Sequence, residues 1–218
     1  MSSLQPVRAE SLSAQVAESI REAIFSGELS PGQVLRELGL ARNMNVSQAT
    51  VREALSHLEH YGLVVRTPNR STSVTSLTRE EIQNRASIWL TLESTIWEHA
   101  AASQSDLLAD LNSILSSMPD APVNVARRFH SRLWESTGNV VLIRILDQLT
   151  TPLFAFCRLE SGDAHTFAGR YRRMLDSVQS GDLHSCRQAL RDQVEAIQQA
   201  ISTTAALEPE SREAVAGV

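Results

Sequence analysis

The sequence predicts a mainly α chain in two parts: an N-terminal winged helix-turn-helix with a small β-hairpin, and a C-terminal all-α antiparallel helical bundle. Within the first 75 residues, three helical stretches precede two short β-prone runs, the order helix, helix, turn, helix, hairpin. Beyond Thr75 no strand signal returns, and helical patterns succeed one another across short breaks rich in Gly, Pro, Asn and Asp. Connections that short make neighbouring helices antiparallel. The implied domains are residues 1–75 and 76–203, followed by a loose tail at 204–218 that lacks any period.

Leu12, Val16, Ile20 and Ile24 recur every four residues and mark a helix over about 11–26, ended by Ser26-Gly27. Ser30-Pro31-Gly32 is turn chemistry. A short helix over about 37–43 is expected to pack Leu38, Leu40 and Ala41, and Met44-Asn45-Val46 links it to an N-cap at Ser47. From Ser47 the apolar positions Val51, Leu55 and Leu58 share one face up to Tyr61-Gly62, where glycine accepts the left-handed conformation that other residues resist. Leu63-Val64-Val65 and Thr72-Ser73-Val74-Thr75, separated by Thr67-Pro68-Asn69-Arg70-Ser71, read as the hairpin. Further helices are expected over about 78–102, 105–117, 122–136, 139–158, 163–179 and 182–203.

Composition narrows the function classes. Of 218 residues 42% are hydrophobic and 21% charged, as in ordinary globular proteins. No run approaches the ~18 apolar residues of a membrane span and no signal-peptide core opens the chain, so a cytoplasmic protein is expected. Cys157 and Cys186 make neither a disulfide framework nor a zinc-ligand spacing. All 20 basic residues are arginine. Residues 1–75 hold seven Arg and seven Glu, whereas the remainder carries the whole net charge of −5. With no polybasic tail, any nucleic-acid contact has to come from a few placed arginines. No nucleophile–base spacing or Gly-rich phosphate loop points to an enzyme.

The segment Ser47-Gln48-Ala49-Thr50-Val51-Arg52-Glu53-Ala54-Leu55 holds the candidate DNA-reading groups. Gln48, Arg52 and Ser56 form a row apart from the buried face. Glutamine offers the donor and acceptor that match adenine, and arginine the fork that matches guanine O6 and N7. Ser47, Thr50 and the amides at the helix N-terminus suit a phosphate. On an isolated amphipathic helix these residues would read as a solvated face. The short helix before them and the hairpin after them favour DNA reading instead.

Leu35-Arg36-Glu37, Val46 through Leu55, and Leu58-Glu59-His60-Tyr61-Gly62-Leu63-Val64 together resemble the GntR family of bacterial transcription regulators. The resemblance implies a homodimer that binds a near-palindromic operator, with the recognition helix on the bases and the wing tip in the minor groove. By position it assigns DNA contacts to Arg36, Ser47, Thr50 and Arg52. Gln48 stands where the family often has Arg, implying a different base preference. Ser71 stands where the wing usually has Gly, leaving Arg70 as the minor-groove candidate.

Phe129-His130, Ser136-Thr137-Gly138-Asn139 and Gly181-Asp182 resemble the all-helical ligand-binding domain, FCD, of the FadR subfamily, over about residues 79–200. Such domains commonly hold a divalent metal with one Asp and three His, which helps to bind a small carboxylate effector. Here the four corresponding places hold Ala126, His130, Tyr171 and Gln193, so His130 is the only retained ligand and no bound metal or other cofactor is expected. The helix patterns independently put these groups inward: Tyr171 joins the stripe of Phe167, Met174, Leu175 and Val178, and Gln193 shares a face with Cys186, Leu190 and Ile197. They read either as an ordinary satisfied polar core or as an effector pocket made aromatic by Trp89, Phe129, Trp134 and Tyr171. Trp89 also replaces an arginine that in many relatives pairs with the effector carboxylate, while Arg127 and Arg173 are alternative cations. The expected function is a ligand-responsive repressor whose effector is an organic acid or a more apolar metabolite. The alternative is a DNA-binding dimer whose helical domain no longer senses a small molecule.

Overall fold

A computed structural model describes residues 11–67, 71–101, 105–117, 121–159 and 163–202, and the chain divides into two units, Met1–Thr75 and Ser76–Val218. Arg70 and the tail at 204–218 lie outside the described residues.

The first unit runs α1 (Leu12–Ser26), β1 (Val34–Leu35), α2 (Glu37–Asn43), α3 (Gln48–His60), β2 (Val64–Arg66) and β3 (Thr72–Val74). α1 and α2 both pack on α3. Val16, Ile20 and Ile24 of α1 are buried, as are Val51, Ala54, Leu55 and Leu58 of α3, the stripes expected of an amphipathic three-helix core. Gly27 closes α1 in the left-handed conformation at φ 85°, and Gly62 follows α3 at φ 69°. Between α2 and α3 the turn is made by Asn45 at φ 51°, a conformation asparagine tolerates better than most residues.

Three details depart from the sequence reading, the first being that Leu12, which opens the apolar period of α1, is 54% exposed. The expected hairpin is the larger part of a three-stranded antiparallel sheet of order β1-β3-β2. Val34 pairs with Ser73, and Gly32 and Gln33 continue the ladder with Val74. Leu38, expected in the core, is 49% exposed, because a helix this short turns only Ala41 fully inward.

The second unit consists of α4 (Arg79–Ala101), α5 (Ser105–Leu115), α6 (Pro122–Glu135), α7 (Val140–Phe156), α8 (Asp163–Gln179) and α9 (Leu183–Ser202). A capping box starts α4: Glu81 N donates to Thr78 Oγ1 at 3.1 Å, and Thr78 N donates to Glu81 Oε2 at 2.8 Å. α4 packs against α6, α7, α8 and α9, so its buried face is the centre of the unit. α8 and α9 form a tight helical hairpin around Gly181, at φ 78°.

α7 continues through Pro152, which has no N–H to donate to the carbonyl four residues back, that of Gln148. Arg85 of α4 supplies the missing donor: its Nη1 lies 3.2 Å from both the Gln148 and the Leu149 carbonyl oxygens. The guanidinium offsets the lost helix bonds and ties α4 to α7 at the same point.

Candidate nucleic-acid interface and candidate effector site

α3 presents one polar row outward from its buried stripe. Gln48, Ala49, Arg52, Glu53 and Ser56 are exposed, and Thr50 is half-buried. Ser47 is spoken for locally: its Oγ accepts the Thr50 amide at 3.1 Å and lies 2.8 Å from Thr50 Oγ1, a helix cap that fixes both hydroxyls at the N-terminus. Arg52 is exposed and grips Glu37, the first residue of α2, through Nη2–Oε2 at 2.8 Å and Nε–Oε1 at 3.3 Å. Arg36 is exposed beside it at the start of α2. Arg66, which the sequence reading passed over, comes from β2 and donates Nη2 to the Arg52 carbonyl at 2.8 Å. The surface therefore presents Gln48 and Arg52 on the exposed face of α3, with Arg66 lying along the helix between the Arg52 carbonyl and Glu59, while Arg70 falls outside the described residues.

The helical unit brings all five sequence-predicted pocket residues together, around a sixth that the sequence reading did not select. Glu93 of α4 is fully buried, as are His130, Tyr171, Gln193 and Trp89, and Trp134 is 1% exposed. Glu93 Oε2 accepts from the indole nitrogens of Trp89 at 2.7 Å and Trp134 at 2.9 Å, and Oε1 accepts from Trp97 at 3.3 Å. His130 Nδ1 sits against both carboxylate oxygens, at 2.8 and 2.9 Å. On the other side of the ring, His130 Nε2 is 3.0 Å from the Tyr171 hydroxyl, which accepts the Gln193 amide at 3.3 Å. Among the described residues Gln193 Oε1 is buried without a hydrogen-bond partner. Phe129, Phe154 and Phe167 flank the chain edge-on or tilted, with the Phe129 and Tyr171 ring centres 4.8 Å apart.

The electrostatics follow from this wrapping. Burial alone pushes a carboxyl pKa up, but the attraction of His130 and the hydrogen bonds from His130, Trp89 and Trp134 outweigh it and hold Glu93 below its usual value. Glu93 is thus an ionised carboxylate inside the domain. Burial, then the Glu93 charge, pushes Tyr171 well above its ordinary value, so it stays a neutral phenol. Burial also pushes Cys157 and Cys186 up to about 12, leaving no thiolate near neutral pH. A signal for Glu93 was present in the sequence: Trp89, Glu93 and Trp97 stand four apart, an acid between two indoles on one helix face.

The family's metal does not fit this donor set. Ala126 offers no donor, Tyr171 is a neutral phenol, Gln193 an amide, and both nitrogens of His130 are already bonded. Among the described residues no group of three or more His, Cys, Asp or Glu is placed to hold an ion. The alternative cations serve other acids: Arg173 is exposed, 3.3 Å from Asp192, and Arg127, half-buried on α6, acts on Asp147 of α7. No helix among the described residues is long and apolar enough to cross a membrane.

Comparison with known proteins agrees with both halves. Residues 12–74 match the family model described as bacterial regulatory proteins, gntR family, and residues 87–196, half the chain, match the FCD domain. An uncharacterised HTH-type transcriptional regulator of Bacillus subtilis, YdhC, is 24% identical over 80% of this chain and 84% of its own length. A probable D-xylose utilization operon transcriptional repressor of Paenarthrobacter nicotinovorans is 24% identical over 85% of this chain and 86% of its own. The solved structure of Escherichia coli McbR/YncC superposes with a TM-score of 0.71 at 22% identity, covering 89% of this chain and 97% of that one, and so shares the fold. The chain belongs to the gntR family of bacterial regulatory proteins, a DNA-binding transcription regulator with a winged helix-turn-helix ahead of an FCD domain.

Proposed function

We propose that this regulator is a dimeric repressor that binds a near-palindromic operator and releases it when a neutral, largely apolar metabolite enters the FCD domain. The observation that carries the DNA half is the exposed row of Gln48 and Arg52 on α3, with Ser47 and Thr50 at its N-terminus and Arg36 nearby. In this reading Arg52 and Gln48 read bases, Ser47, Thr50 and Arg36 meet phosphates, and Arg70 reaches the minor groove. Two recognition helices about one DNA turn apart, roughly 34–36 Å, set the operator spacing. Repression is supported by the name of the Paenarthrobacter relative.

Dimerisation is supported by apolar side chains left in solvent on two mutually packed helices. Ile88 of α4 is 49% exposed, and Val140, Val141 and Ile145 of α7 are 65%, 66% and 45% exposed. Ile145→Asp is expected to give a monomer in sedimentation while the thermal transition stays in place. Its operator affinity should fall about a hundredfold as the second half-site contact becomes independent of the first. A dimer with undiminished affinity would show that this face is not the interface.

The effector class follows from charge. The indole and imidazole donors of the core already serve the Glu93 carboxylate, and a second anion beside it would be repelled. Gln193 Oε1 remains as an acceptor for a ligand hydroxyl or amine among aromatic rings. A thermal-shift series with zinc, citrate and both together is expected to leave the transition unmoved. A metal held at one-hundredth of its free concentration would raise stability by about 2.7 kcal/mol, and a shift of that size would overturn the metal-free reading. The second reading, a domain that no longer senses a small molecule, is favoured by the complete burial of the network. Release of operator by any of a panel of neutral metabolites separates the two.

A further inference from the structure

The pairing of Arg52 with Glu37 has a consequence for base recognition, which rests on α3 being the recognition helix. Glu37 takes one side of the guanidinium, the Nε and Nη2 edge, at 3.3 and 2.8 Å. A guanidinium carries five N–H donors in a planar fork. The grip leaves both protons of Nη1 and one of Nη2, the end-on edge whose spacing matches guanine O6 and N7. The other end of the residue is fixed as well, since Ser56 Oγ and Arg66 Nη2 both donate to the Arg52 carbonyl, at 3.0 and 2.8 Å. Arg52 is otherwise exposed, on a flexible stem that would sweep freely between base edges and phosphates.

The geometry points to Glu37 as a specificity-determining, positioning residue, which holds the Arg52 fork end-on for guanine and withholds it from the phosphate backbone. The carboxylate works in two ways. It pre-orders the fork, so less rotamer freedom is lost on binding the correct base. It also puts a negative charge at a surface that approaches DNA, which weakens the sequence-independent attraction of the whole face. Glu37 therefore exchanges general affinity for discrimination.

The test uses the full-length dimer, a duplex enriched from a randomised pool by the wild-type protein, and a shuffled duplex of equal length, at one fixed salt concentration. Glu37→Gln is expected to tighten binding to the shuffled duplex about twofold to threefold. The ratio of enriched to shuffled affinity should fall about tenfold, within the range of one bidentate base contact. In an Arg52→Ala background, Glu37→Gln should leave that ratio where Arg52→Ala alone puts it. An equal loss of ratio in both backgrounds would overturn the proposal, because Glu37 would then act without Arg52, through the fold or through a base contact of its own. Equal tightening on both duplexes with an unchanged ratio would also overturn it, reducing the pair to a charge brake. If Arg52→Ala itself leaves discrimination intact, the recognition-helix reading fails. If Arg52→Ala abolishes discrimination while Glu37→Gln keeps it, only the positioning role fails.

Discussion

Replacing Glu93 with alanine is expected to destabilise the helical domain by about 3–5 kcal/mol, the usual cost of removing one partner from a buried charged network. The cause is not the lost carboxylate as such but the groups it leaves behind. Trp89, Trp134, Trp97 and His130 all aim donors at it, and all four side chains are at most 1% exposed. Each orphaned buried donor costs about 1–3 kcal/mol, and the total falls short of their sum because the cavity relaxes and admits water. Denaturant unfolding followed by tryptophan fluorescence reads the effect directly, since the indoles report on the core. A loss under 1 kcal/mol would mean that the carboxylate is not what organises these donors.

The same group gives a pH signature. The folded-state pKa of Glu93 lies below its unfolded value of about 4.3, so its contribution is complete above that pH and is lost as pH falls towards the folded value. The stability gap between wild type and Glu93→Ala should therefore be constant near neutrality and narrow on acidification below pH ~4. A gap that widened on acidification would contradict an ionised Glu93.

Arg52→Ala is expected to remove most operator discrimination while leaving the oligomeric state and the thermal transition unchanged. Arg52 is largely exposed on α3 and its one partner, Glu37, is a surface ion pair, so truncation costs the fold little. A bidentate arginine–guanine contact is worth about 1–3 kcal/mol of discrimination, and the proposed dimer would make it twice. The specificity ratio should thus fall between roughly 30-fold and 10⁴-fold. Binding to random duplex should weaken far less, because phosphate contacts from other groups and the helix N-terminus persist. Competition binding with enriched and shuffled duplexes measures both quantities in one experiment. A parallel fall on both duplexes would make Arg52 a phosphate contact rather than a base reader.

The helices of both domains were legible in the chain because each is encoded locally. Apolar side chains at helical spacing, such as Val16, Ile20 and Ile24, state which face is buried, and Ser47 and Gly62 mark where α3 begins and ends. The inward placement of His130, Tyr171 and Gln193 was legible for the same reason, since each lies on an apolar stripe of its own helix. β1 was not, because a two-residue strand has no period and exists only through pairing with Ser73 and Thr72, far along the chain. The passage of α7 through Pro152 follows the helical pattern expected over 139–158, but the donor that supports it, Arg85, comes from another helix and was not legible.

The sequence by itself therefore determined the order of elements, the outward row of Gln48 and Arg52, and the polar residues that would face inward. Only the tertiary structure decided what those residues meet. It made Glu93 the centre of the FCD core, because packing α4 against α6 adds His130 and Trp134 to the two indoles, Trp89 and Trp97, that α4 itself carries. It also set Glu37 against Arg52, by laying α2 across α3. Periodicity fixes the direction a side chain faces, whereas the identity of its partner depends on how separate helices cross, and no local pattern carries that information.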